Sequence, residues 1–424
     1  MRNNSFSFIH TADLHLDSPF ECIQAEDPKI ANMLRNATFR AFENVINLAI
    51  QKGVDFLIVA GDVYDGLDRS LRAQWQFYQM LRRAAEAGIQ CFVAHGNHDP
   101  LSGWEAGLAV PNGVHRFHGD DVQRIAVKRD GQELAYIYGI SYPSREINES
   151  LTPRFSRKNS KDNSPFAIGV LHCNVGGAPE HDNYAPCTMD DLTACGMDYW
   201  ALGHIHSRKV LRESEPCIIY PGNTQGRSVR ELGERGCYLV RVDETGHVDA
   251  EFMTTDVVRW FMEDISITDM PTLDTLMNVL ADRCTELRSR AVGRDVVVRI
   301  YLTGRGELHR ILKHQRQELV SVLREAEAEQ EQRVWVESLH DHTRPAVDVQ
   351  RRREVEDFIG EFLRVADRLR ERPDTASEIR QLLTEPDEHS IIADQIDMLT
   401  EEELLSILED AETLGLDWLL EGRD

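Results

Sequence analysis

Apolar positions in the first third of the chain alternate between short solid runs and helically spaced stripes. Phe6-Ser-Phe-Ile-His10 reads as a buried first strand. Met33, Leu34, Ala37, Val45, Ile46 and Ala49 then recur at helical spacing within residues 30–51, closed by Lys52-Gly53. Residues 54–60 read as a second strand, 70–87 as a helix stopped by Gly88, and 89–94 as a third strand. Strands alternating with helices of this length imply βαβ units. Beyond about residue 120 the pattern changes to strands joined by short or irregular links, at 134–141, 166–173, 199–203, 217–220 and 237–242. The pattern predicts an α/β fold of four layers (two mixed β-sheets packed face to face, flanked by helices), with functional loops at the carboxyl ends of the strands.

Further along, residues 153–165 are basic and rich in Ser and Asn, as in an exposed surface loop. The chain is expected to leave this first unit around residues 260–271. A helix at 273–290 follows, then a strand at 295–302 in which Val296, Val298 and Ile300 alternate, a second helix and a short strand at 334–336. This pattern reads as a small α/β cap domain. From residue 347 onward the pattern is nearly all helical, interrupted at Pro373 and Pro386. The expected domains are therefore residues 1–258, 259–345 and 346–424. No internal repeat is evident.

Composition narrows the class. A chain of 424 residues with 42% hydrophobic and 28% charged side chains is that of a globular protein with a sizeable core. No stretch approaches the length of a membrane span, and residues 1–10 lack the basic and apolar regions of a leader, so the expected location is cytoplasmic, with no membrane partner. The eight cysteines (Cys22, Cys91, Cys173, Cys187, Cys195, Cys217, Cys237 and Cys284) form no CxxC pair and read as buried reduced thiols rather than a zinc-thiolate site. The net charge of −25 counts against simple electrostatic binding of nucleic acid. Residues 346–424, with 9 Lys/Arg against 23 Asp/Glu, carry −14 of it.

Five short segments then stand out, each at the end of an expected strand: Asp13-Leu-His15, Gly61-Asp62, Gly96-Asn97-His98-Asp99, His172 and Gly203-His204-Ile-His206. Each alone has an ordinary explanation: a capping pair, a turn or a core histidine. Together they supply the mixed carboxylate and imidazole donors that first-row divalent ions take. Asp13 and His15 are two apart, so in an extended segment both face one ion. Asp62 can bridge two ions through its two oxygens. Asn97, His172 and His204 would complete the second ion, and His206 would return to the first. Two such ions roughly 3.5–4 Å apart serve phosphate-ester hydrolysis. His98 is free in this scheme to act on the phosphate, and Asp99 is expected to orient it.

These residues resemble the calcineurin-like metallophosphoesterases and, more narrowly, the bacterial nuclease subunits of the SbcD/YhaO type. The resemblance rests on His10-Thr-Ala-Asp-Leu-His-Leu-Asp-Ser-Pro-Phe20, Ala60-Gly-Asp-Val-Tyr-Asp-Gly66 with Arg69-Ser-Leu-Arg-Ala-Gln74, His95-Gly-Asn-His-Asp-Pro-Leu101 and Tyr220-Pro-Gly-Asn-Thr-Gln-Gly-Arg227. It spans residues 5–245 and covers the rest only in layout. It implies a metallophosphoesterase fold and two divalent ions, Mn²⁺ by family. One would be held by Asp13, His15, Asp62 and His206, the other by Asp62, Asn97, His172 and His204. It also implies hydrolysis of DNA as an exonuclease or endonuclease, a homodimer, and an SMC-like ATPase partner of the SbcC/YhaN type. Asp65 and Ser228 depart from the pattern, since relatives carry histidine there. Arg69, Arg72, Arg227 and Arg230 are the basic residues nearest the motifs, and they either contact DNA phosphates or pair with local carboxylates. The closing helices, with Ile396, Leu399, Leu404, Leu405, Leu408, Leu414, Trp418 and Leu419, either pack on their own core or dock onto the coiled-coil base of the ATPase. The readings in view are a DNA nuclease, a phosphoesterase acting on small diesters or phosphoproteins, and a DNA-end scaffold that does not cut.

Overall fold

The structure, a computed structural model, describes residues 5–18, 28–66, 69–157, 165–177, 184–328, 330–384, 396 and 399–421. Pro19 and Phe20 of the first motif, Cys22, residues 158–164 of the 153–165 stretch, and residues 385–395 and 397–398 of the helical tail lie outside these residues. The chain begins β1 (Phe6–Thr11), α1 (Pro28–Lys52), β2 (Phe56–Ala60), α2 (Leu71–Glu86), β3 (Gln90–Ala94) and β4 (Val114–Arg116). It continues through β5 (Gln123–Arg129), β6 (Gln132–Gly139), β7 (Phe166–His172), α3 (Met189–Ala194), β8 (Tyr199–Gly203), β9 (Lys209–Arg212) and β10 (Cys217–Tyr220). Strands β11 (Gly236–Val242) and β12 (Val248–Thr254) then return to the first sheet.

Both large sheets are mixed and six-stranded, in the orders β12-β11-β1-β2-β3-β4 and β5-β6-β7-β8-β10-β9. In the first, β1 to β4 run parallel, while β11 pairs antiparallel with β1 and β12. In the second, β6, β7, β8 and β10 run parallel, with β5 and β9 antiparallel at the edges. The period of two along each strand sorts the core into layers. Phe8, Phe56, Ile58 and Phe92 from one sheet pack between the sheets with Ile137, Ile168, Val170, Tyr199 and Ile219 from the other. Their neighbours Ile9, Leu57, Val59 and Val93 point outward onto Phe42, Val45, Phe77 and Leu81 of α1 and α2. Leu171, Trp200, Leu202 and Ile218 pack with Phe155 and Leu192 on the outer face of the second sheet. The four-layer expectation holds.

The rest of the chain runs β13 (Val258–Ser266), α4 (Leu273–Ala291), β14 (Asp295–Thr303), β15 (Arg305–Gly306), α5 (Leu308–Glu327), β16 (Val334–Asp341) and β17 (Arg344–Pro345). Helices α6 (Val349–Arg353), α7 (Phe358–Arg370), α8 (Thr375–Thr384) and α9 (Glu401–Glu421) follow. Strands β13, β14 and β16 form a three-stranded sheet in that order. By packing, residues 1–262, 284–299 and 324–338 form one unit, and residues 263–283, 300–323 and 339–424 a second. Within the second unit Leu416 of α9 is buried with Ile359 and Leu363 of α7, while Leu414 and Trp418 stay exposed. No helix among the described residues is long and apolar enough to cross a membrane. The seven described cysteines are all buried and free.

Candidate metal centre

Every one of the five segments lies at the carboxyl end of a parallel strand. Three follow β1, β2 and β3, neighbours in the first sheet; two end or follow β7 and β8, neighbours in the second. The loops after β1 and β2 are joined backbone to backbone, with Asp13 N donating to the Gly61 carbonyl at 3.1 Å and His15 N to that of Asp62 at 3.0 Å. Asp13, His15, Asp62 and His204 all have positive φ, of 50°, 43°, 50° and 101°. Non-glycine residues persist there only when the surroundings hold them, as at functional sites. Gly61 is required twice over, by its φ of 98° and because a Cβ there would collide with the His172 ring.

Donor atoms of Asp13, His15, Asp62 and His206 all lie within 4.8 Å of one another. The Nε2 atoms of His15 and His206 face each other at 3.0 Å. On the other side His172 Nε2 and His204 Nδ1 meet the Asn97 Oδ1 at 3.0 and 3.2 Å. Asp62 lies between these groups. Its Oδ1 accepts from the His98 backbone N–H at 3.0 Å, and its Oδ2 is 3.3 Å from His172 Nε2 and 3.9 Å from His15 Nε2. That buried Oδ2 has no hydrogen-bond partner of normal geometry among the described residues. A buried carboxylate oxygen left in this way, among converging imidazole nitrogens, is what a site built for cations looks like. The donor set fits two divalent ions.

Electrostatics tie the cluster together. Burial lifts the Asp13 carboxyl above its ordinary value, with His172 and His206 pulling it back. Burial also opposes ionisation of Asp62, yet the imidazoles of His172, His98 and His15 hold its carboxyl well below the usual range. For His172 burial is outweighed by Asp62 and Asp13, which carry the imidazole up to about 9. His15 goes the other way, down to about 3, through burial and then the nearby Arg227 charge.

His98 stands beside these groups with its ring perpendicular to that of His15 at 5.0 Å between centroids, and its side chain is 37% exposed. The expectation that Asp99 orients it does not hold. The Asp99 carboxylate instead accepts from His95 Nδ1 at 2.7 Å, from the Val63 N–H at 2.9 Å and from the Gly96 N–H at 2.8 Å. Both oxygens are engaged in holding the β2 and β3 loops. The carboxylate that faces the His98 Nδ1, at 3.4 Å, belongs to Asp65.

The four arginines divide into two kinds. Arg69 is buried, and its guanidinium donates to the carbonyls of Asp99 and Pro100. Arg227 is nearly buried between Asp65 and Glu231. Arg72 and Arg230 are exposed, Arg72 lying 3.6 Å from Asp17 and over the Phe39 ring. Sequence reasoning marks Asp65 only as a departure from the family pattern and passes over Glu231 altogether. Glu231 sits four residues after Arg227, a spacing common in any helical or turn segment, so its sequence context carries no usable signal.

Comparisons with known proteins agree with this geometry. Residues 6–208 match the calcineurin-like phosphoesterase family, and residues 260–344 match the middle domain of the metallophosphoesterase YhaO. Over 410 residues, 96% of each chain, the sequence is 35% identical to the uncharacterized metallophosphoesterase YhaO of Bacillus subtilis (strain 168). It is 28% identical over 249 residues to the DNA double-strand break repair protein Mre11 of Aeropyrum pernix, covering 56% of this chain and 58% of that one. It is 23% identical over 255 residues to a subunit of the nuclease SbcCD of Bacillus subtilis (strain 168), covering 53% of this chain and 63% of that one.

Proposed function

Because this chain belongs to the family of the metallophosphoesterase YhaO, we propose that its five-segment cluster hydrolyses phosphodiester bonds in DNA, with two Mn²⁺ ions as cofactors. Asp13, His15, Asp62 and His206 would hold one ion, and Asp62, Asn97, His172 and His204 the other. The position of Asp62 Oδ2 carries this reading, since it has imidazole nitrogens of both groups within 3.9 Å and no hydrogen bond of its own among the described residues. When bound, such ions neutralise phosphate charge and make water a nucleophile at neutral pH.

The protein's own part follows from the residues around them. The joined loops after β1 and β2 fix Asp13, His15 and Asp62 before any substrate arrives, so no reorganisation is needed during reaction. His98 has Nδ1 against Asp65, which leaves Nε2 to give its proton to the leaving oxygen. Likeness to the Mre11 protein and to the SbcCD nuclease supports DNA as the diester, in repair. The partners we propose with it are an SMC-like ATPase of the SbcC/YhaN type and a second copy of this chain, in the cytoplasm. We also assign residues 1–258 to catalysis, 259–345 to capping and 346–424 to the acidic helical region that would dock the ATPase. The net charge of −25 favours a second reading, a phosphoesterase acting on small diesters or phosphoproteins.

One assay separates them. The purified chain with Mn²⁺ is offered labelled double-stranded DNA, single-stranded DNA and bis-p-nitrophenyl phosphate. The expected result is cleavage of DNA and of the small ester. Asp62→Ala should abolish both, and His98→Ala should lower turnover roughly 10²–10⁴-fold. Hydrolysis of the small ester without DNA cleavage, even with the ATPase present, would sink the nuclease reading and leave the second.

A further inference from the structure

Behind the two histidines that face each other lies a second arrangement of charges. His15 Nδ1 is 2.8 Å from Asp65 Oδ1, and His206 Nδ1 is 2.8 Å from Glu231 Oε1. Between these two carboxylates sits Arg227. Its Nη1 donates to Asp65 Oδ1 at 3.2 Å and its Nη2 to Glu231 Oε1 at 3.2 Å. Its backbone N–H also reaches Glu231 Oε2 at 2.7 Å. Ser18 closes the other side, donating from Oγ to Asp65 Oδ2 at 2.7 Å and accepting from Arg227 Nη1 at 3.2 Å.

We propose that Asp65, Glu231 and Arg227 form a clamp that sets the ring orientation and tautomer of His15 and His206, and so tunes the affinity of one of the two metal positions. The inference rests on the reading of those histidines as ligands.

The argument is one of proton placement. A carboxylate accepts only, so the 2.8 Å contacts place the proton of each Nδ1 toward Asp65 or Glu231. These contacts are shorter than the 3.4 Å approach of Arg227 Nη2 to His206 Nδ1. Each Nε2 then presents a lone pair, and the two lone pairs point at one another across 3.0 Å. A cation held by both nitrogens would relieve what would otherwise be repulsion. Anionic backing also makes an imidazole a stronger donor to a metal, which is why such outer partners affect affinity. Two carboxylates added beside Asp13 and Asp62 would be costly in a buried place. Arg227 offsets them, and its fork spans both as an ammonium group could not. Burial works against the Arg227 charge, but Glu231 and then Asp65 raise its pKa above the ordinary value.

The second position is built differently. His172 Nδ1 faces the neutral carbonyl of Ala60 at 3.0 Å. The clamp therefore acts on one ion and not on the other. Asp65 is also one of the two residues that depart from the pattern of the resemblance, so its role in this chain follows from its own contacts. The same contacts account for Arg227 as a positioning residue rather than a contact for DNA phosphate.

The test is Mn²⁺ uptake by the full chain, followed by calorimetry and by the electron paramagnetic resonance of free Mn²⁺. Asp65→Asn, Glu231→Gln and Arg227→Lys are compared with wild type, with thermal melting of the metal-free proteins as a check on folding. Wild type is expected to bind two ions. Each variant should weaken one of them by roughly ten- to a hundredfold and leave the other unchanged. Equal weakening of both ions, or wild-type affinities in both carboxamide variants, overturns the clamp. Wild-type behaviour of Arg227→Lys alone removes the arginine from it. A wild-type chain that takes up no Mn²⁺ overturns the metal reading itself, and the clamp with it.

Discussion

At the scale of single residues, the metal-binding types announce themselves and their supports do not. Asp13, His15, Asp62, Asn97, His98, His172, His204 and His206, which the fold brings together, stand out in the sequence because Asp, Asn and His at the ends of apolar runs are chemically conspicuous. Asp65 and Glu231 do not, because a carboxylate's role depends on what lies across the fold, here His15 50 residues away in sequence and His206 25 residues away. His10 shows the opposite case, a histidine in the first motif that is no ligand. Its ring is fully buried, with Nδ1 3.0 Å from the Tyr199 hydroxyl and Nε2 3.2 Å from the Leu202 carbonyl. Burial pushes this imidazole down to about 3 from an ordinary 6.5. Its folded pKa is depressed, so the unfolded chain takes up the proton first. The stability this neutral ring contributes is whole above pH 6.5 and is lost as the pH falls toward 3. At pH 5 the loss is about 2 kcal/mol. Urea unfolding at pH 7 and pH 5 should show a difference smaller by about that amount in His10→Phe, whatever the variant's absolute stability. An unchanged difference would refute the assignment.

At the scale of elements, strands buried on both faces were readable and those at sheet edges were not. Strands β2, β3, β7, β8 and β10 are nearly solid apolar runs because the other sheet packs on one face of them and helices or connecting segments on the other. The edge strands β4, β5, β9 and β12 went unpredicted, since half-exposed positions admit Arg, Lys and Glu and leave no period to read. Strand β13 begins where the chain was expected to leave the first unit. Helix α2 was placed correctly because Ser70 caps it. Ser70 Oγ accepts from the Ala73 N–H at 3.0 Å and donates to Asp17 Oδ2 at 2.6 Å. Asp17 thereby places a negative charge at a helix N-terminus that has no acidic residue in its own first turn. Ser70→Ala removes both bonds and should cost about 1–2 kcal/mol, read as a lower urea midpoint with an unchanged slope.

At the scale of the whole molecule, the charge of −25 would limit how the proposed DNA substrate is met. With Arg69 and Arg227 engaged inside the protein, Arg72 and Arg230 are the members of the original four able to touch phosphate. Arg230→Ala should therefore flatten the dependence of log affinity on log salt by about 0.9, and an unchanged slope would refute the contact. Titrations at several ionic strengths decide it. The topology also bears on how the chain is made. Strand β1 sits inside the first sheet, with β2 on one side and β11 on the other, and Phe6 pairs with Val242. A ribosome releases β1 before β11, which follows only after the entire second sheet has been synthesised. Until residue 242 emerges, Phe6-Ser-Phe-Ile-His10 has an unsatisfied edge, the kind of strand that invites pairing with another chain. The nascent chain thus carries β1 with one edge unpaired until β11 emerges, and a chaperone that holds exposed strand edges would find its target there.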